Sequence, residues 1–100
     1  MQTFILATKL SAEGMRKPED IKKNGKRWKT AVEKKCPEVT FKQHYFVFGQ
    51  YDFISIFEAP DVETAAKVSI ISQSLGAQKA ESWIAFPYGR FLNFLDEVKD

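Results

Sequence analysis

Long apolar runs are missing from this chain of 100 residues, and so is every cysteine but Cys36. The first absence leaves no stretch near the ~20 apolar residues that a membrane-spanning helix needs. The second excludes an intrachain disulfide and any metal site built from several thiolates. A lone free thiol suits a reducing compartment. Glycine and proline are sparse, five and four, which argues against a disordered or low-complexity chain. Phe4–Ala7 is too short for a signal-peptide core and no basic segment precedes it, so the expected location is cytoplasmic. No Walker loop, G-x-G-x-x-G turn or G-x-S-x-G elbow occurs, and no cofactor is expected. There is one histidine, His44.

What the chain has in plenty is aromatic surface: nine Phe, three Tyr and two Trp, a large ring area for one small core. The length predicts a single domain over residues 1–100. The net charge is only +2, but Lys and Arg number eleven in residues 1–50 and four in residues 51–100. The excess lies mostly between Lys22 and Lys35. Such a stretch can attract nucleic acid. Here no arginine-rich groove or RNA-binding aromatic motif supports that, so a solvated helix face is expected, with neither nucleic acid nor membrane as a partner.

Thr3–Thr8 reads as a short strand, followed by a connection that Gly14 punctuates. Pro18 precedes a helix over about Glu19–Lys35. Ile21, Gly25, Trp28 and Val32 fall on one face of it, so Trp28 should point inward. Gly25 on that face costs about 1 kcal/mol relative to Ala, and close approach of helix to sheet is the expected return. Val39–Phe48 and Tyr51–Glu58 are the strongest strands. Gly49-Gln50 fits a two-residue type II′ turn, pairing Phe48 with Tyr51. One face of the hairpin then carries Lys42, His44, Phe46, Phe48, Tyr51, Phe53, Ser55 and Phe57; the other carries Phe41, Gln43, Tyr45, Val47, Asp52, Ile54, Ile56 and Glu58. Both are substantially apolar, unlike a hairpin with one face in water. Asp61 is a good N-cap for a helix over Val62–Leu75, with Ala65, Ala66, Ser69 and Ser72 as a small-residue packing face and Gly76 as its closing residue. A strand over Gln78–Phe86 and a helix over Tyr88–Val98 complete the chain. The order is βαββαβ plus a helix: an α+β, ferredoxin-like antiparallel four-stranded sheet with two helices on one face.

With Gly49-x-Tyr51-Asp52, the run Ile56-Phe57-Glu58-Ala59-Pro60-Asp61, Ala65-Ala66, Gly76 and Ala85-Phe86, the chain resembles the GYD domain family over about residues 3–95. The resemblance implies a ferredoxin-like fold related to dimeric α+β barrels and no established activity. Family members often carry Arg and Thr early in the last strand, where this chain has Lys79 and Ala80.

Chemistry has few places to sit. His44 is the one ready general base near neutral pH and faces Ser55 across the strands. No carboxylate on that face orients the pair as a triad would. A lone His is a weak metal signal, although it is what an axial haem ligand requires; no metal is expected. The candidate ligand-binding residues are therefore His44, Phe46, Tyr51, Phe53 and Ser55. Gly49, Tyr51, Asp52, Glu58 and Asp61 carry the family motif and are expected to be structural: Asp52 bonding turn amides, Tyr51 packing on Phe48, Asp61 capping. No catalytic residue is identified. The expected function is a self-associating module that binds a small molecule or regulates, pairing with itself through the open sheet face. The alternative is a small cofactor-independent isomerase or oxygenase of the dimeric α+β barrel type.

Overall fold

Seven elements follow one another: β1 (Gln2–Leu10), α1 (Pro18–Lys35), β2 (Thr40–Phe46), β3 (Phe53–Ala59), α2 (Val62–Ser74), β4 (Ala77–Ala85) and α3 (Tyr88–Val98). The computed structural model describes residues 1–13 and 17–100; Gly14, expected in the first connection, lies outside them. The strands form one antiparallel sheet in the order β2-β3-β1-β4. Helices α1 and α2 cover one face of it, which is the expected ferredoxin-like arrangement.

Local chemistry places each helix. Pro18 opens α1 at a position where its missing N–H is no loss. Glu19 and Asp20 in the first turn and Lys34 and Lys35 in the last complement the helix dipole. The Asp61 carboxylate starts α2 by accepting from the Thr64 amide at 2.8 Å and its hydroxyl at 2.7 Å. These bonds, the hydroxyl's first, hold the Asp61 pKa below its ordinary value. Ala65, Val68 and Ser72 turn inward. Ala66, expected to pack with them, is exposed, because one residue beyond Ala65 rotates it about 100° around the helix axis. Gly76, at φ +105°, closes α2 in a conformation that side chains resist.

Phe4, Leu6 and Phe57 from the sheet meet Val32 and Cys36 from the α1 end and Ala65 and Val68 from α2 to form the core. Phe4 and Phe57 are cross-strand partners with stacked rings 5.5 Å apart. Burying each of these large side chains contributes about 1.5–3 kcal/mol.

The β2–β3 hairpin departs from expectation twice. Its predicted register holds from Phe46–Phe53 to Gln43–Ile56, then shifts by one, so that Phe41 pairs with Phe57. Side chains alternate with period two, so this bulge at Lys42 exchanges faces beyond it. Phe41 turns to the helix side, with its ring centroid 5.1 Å from that of Trp28 and 5.4 Å from that of Phe57. Lys42 turns to the other side and pairs with Glu58 at 3.5 Å. The tip also differs. Gly49 does not have the positive φ that a type II′ turn demands. The last rung is Val47 N–H to the Asp52 carbonyl, 2.9 Å, and the strands end at Phe46 and Phe53. Tyr51 and Asp52 are drawn elsewhere, and Phe48 stands 94% exposed.

The sheet's second face, opposite α1 and α2, carries Ile5, Ala7, Tyr45, Ile54, Ile56 and Trp83. Helix α3 does not cover it. Among the described residues α3 packs on no other helix or strand and buries none of its own residues. Arg90 lies over the Phe86 and Phe94 rings, 5.6 and 5.5 Å from their centroids, leaving Phe91, Leu92, Leu95 and Val98 exposed.

Candidate functional site

The structure brings together part of the predicted aromatic face. The His44 ring is sandwiched between Trp28 at 5.7 Å and Phe53 at 5.3 Å, nearly parallel to both. Its Nδ1 lies 2.6 Å from the Ser55 hydroxyl. Ser55 is fully buried, and the His44 ring is the only hydrogen-bond partner of its hydroxyl among the described residues. A buried hydroxyl proton without an acceptor is costly, so Ser55 donates to Nδ1 and the proton of the neutral imidazole sits on Nε2. Burial lowers the His44 pKa below its ordinary 6.5, which also favours the neutral ring.

Beside this stack a cavity of about 100 Å³ opens between α1, the end of α2 and the ends of β1 and β4. His44, Phe53 and Trp28 line it, with Ile21, Leu75 and Gly25. Trp28 is fixed there by donating its indole N–H to the Ser72 hydroxyl at 2.8 Å, and Ser72 donates in turn to the Val68 carbonyl. The expected close approach at Gly25 is absent among the described residues: a Cβ built on it would meet none of them within 4 Å. Gly25 borders open space instead.

The other predicted ligand residues separate from this group. Phe46 packs on Phe53 and Phe48, away from the cavity lining. Tyr51 leaves the His44 face altogether. Its hydroxyl donates to Glu81 at 2.7 Å and its ring meets Trp83 edge-on; both partners are on the uncovered face. Trp83 donates to the second Glu81 oxygen at 2.8 Å, and the Tyr51 and Trp83 bonds hold the Glu81 pKa down, the Tyr51 bond first. Asp52 bonds no turn amide. Its carboxylate accepts from Leu10 N–H at 2.8 Å and its own N–H donates to the Thr8 carbonyl at 2.8 Å. The family motif therefore ties the hairpin tip to β1 and β4. Glu58 and Asp61 are occupied by Lys42 and Thr64.

The chemical scope of these groups is narrow. Ser55 is enclosed under the His44 ring, out of reach of a substrate, so the pair is no hydrolytic couple. Cys36 is buried, and burial first, with the nearby Glu38 charge, raises its pKa against the opposing charge of Lys67. No group of three metal-binding side chains gathers among the described residues, and no helix there is long and apolar enough to cross a membrane. Sequence reasoning missed Ser72, Leu75 and Glu81. Only the mid-helix glycine on an apolar face signalled the cavity.

Known proteins resemble this chain over most of its length. A Thermus thermophilus protein named glutamine synthetase and cystathionine beta-lyase binding protein is 32% identical over 89 residues, 87% of this chain and 90% of that protein. The crystal structure of FFRP-DM1 superposes with a TM-score of 0.54 at 23% identity, covering 86% of this chain and all of that one, a likeness of fold. The GYD domain model matches residues 4–95, which include the tip, the cap and the cavity-lining residues. The chain belongs to the GYD domain family.

Proposed function

We propose that this protein is a self-associating regulatory module that acts by binding other proteins. The observation that carries the reading is the uncovered sheet face. Tyr45 and Trp83 are 50% and 41% exposed there, beside half-buried Ile5, Ile54 and Ile56, and α3 adds a second unpartnered apolar stripe. Contiguous apolar surface of this kind marks interaction sites, and two copies can bury such a face isologously. The Thermus relative is named for binding two enzymes, which supports an enzyme as the further partner. Light scattering at micromolar concentration should return at least a dimer mass, and Ile54→Lys should return a monomer. A monomer mass for the unaltered chain overturns self-association. Co-elution with purified glutamine synthetase or cystathionine beta-lyase is expected, and elution apart from both overturns the partner assignment.

A further inference from the structure

We propose that the cavity beside His44 binds a small one-ring aromatic carboxylate. Three observations independent of the open face lead there. The first is Gly25. It weakens α1 by about 1 kcal/mol relative to Ala, yet among the described residues no neighbour crowds the place of its missing side chain. Packing therefore does not require glycine; what glycine secures is the empty space it borders. The second is the lining. Trp28, Phe53 and the His44 ring give aromatic walls, and Ile21 and Leu75 add aliphatic ones. The volume, about 100 Å³, is below that of the apolar cavities of ~150 Å³ that take up benzene, so a single ring fills it with any substituent left at the mouth, and a nucleotide is too large.

The third is polarity. Ser55 fixes the proton of His44 on Nε2, and among the described residues the imidazole makes no hydrogen bond besides the one to Ser55. His44 is also exposed, so water satisfies Nε2–H, and a ligand that offers an acceptor replaces that water without losing the hydrogen bond. Leu75 also borders a shallow depression walled by Lys23, Lys26 and Arg27, so positive charge flanks the cavity and selects an anion. A carboxylate on a single ring meets both demands: the ring lies against the aromatic walls and one oxygen accepts from Nε2–H.

The test is an NMR titration of the full chain with sodium benzoate, alongside toluene, which lacks the acceptor, and acetate, which lacks the ring. Benzoate should give saturable shifts at the Trp28 indole N–H and the Gly25 amide, about tenfold tighter than toluene, as loss of one charge-assisted hydrogen bond implies, and tighter than acetate, which forgoes the ring's contact with the aromatic walls. Gly25→Leu fills the cavity with a good helix former and should abolish those shifts. His44→Phe keeps the stack, and should weaken benzoate about tenfold while leaving toluene unchanged. Absence of saturable shifts with benzoate overturns the proposal, as does benzoate binding that survives Gly25→Leu. Equal binding of benzoate and toluene overturns the carboxylate assignment.

Discussion

His44 joins β2 to α1 and β3 through two ring stacks and to Ser55 through one hydrogen bond, all with the imidazole neutral. That arrangement has a pH signature. The unfolded imidazole titrates near 6.5, and burial holds the native one lower. Between those two values the unfolded chain binds more protons, so stability is fully present above 6.5 and declines as pH falls from there through the native pKa. Asp61 and Glu81, held below their ordinary 3.8 and 4.5, lose their contributions only in more acid solution. A melting temperature lower at about pH 5.5 than at about pH 7.5 is expected, with the difference reduced in His44→Phe; an undiminished difference in that variant would assign the effect elsewhere. His44 facing Ser55 was legible from strand pairing alone. Tyr51 was not, because Glu81 and Trp83, which hold it on the other face, come from a strand thirty residues further on that no local pattern connects to the hairpin.

Among the elements, the helices were the most readable. Pro18, Asp61 and Gly76 are signals that act over one turn or less, and the stripe spacing is contained within its own helix. The hairpin was half readable. Its register near the tip follows from Gly49-Gln50 as a midpoint, but the bulge at Lys42 answers to the core's need for Phe41 against Trp28 and Phe57, a demand made by a helix distant in sequence. Two substitutions separate the helix ends from the helix middle. Asp61→Ala removes both Thr64 bonds and should cost about 1 kcal/mol. Gly25→Ala meets no neighbour among the described residues and should stabilise by up to about 1 kcal/mol. Urea denaturation checks both: the midpoint should fall in the first and rise in the second with the slope unchanged. A fall in Gly25→Ala would mean that a neighbour does crowd the glycine.

At the scale of the molecule, the principal extents of 55 × 30 × 18 Å describe an elongated body. Helix α3, with its apolar stripe free, fits an arm laid on a second copy. Replacing Leu92 and Leu95 together by Glu should therefore reduce the mass of the assembly in light scattering. It should hardly affect the fold of the remaining chain, because α3 buries no residue. Unchanged mass would restrict self-association to the sheet. The open face itself was foreseeable from the hairpin's two apolar sides, whereas an α3 that packs on no other helix or strand among the described residues was not, since its stripe reads the same whether its partner is internal or external. The strand order has a further consequence for synthesis. The first strand made, β1, is flanked by β3 and β4, with Thr3 paired to both Glu58 and Ala85. On the ribosome its two edges must wait for most of the chain to emerge. Such non-local pairing slows folding, and an unpaired apolar edge invites aggregation during the wait. Nascent chains halted before Ala77 should thus be the most dependent on chaperones.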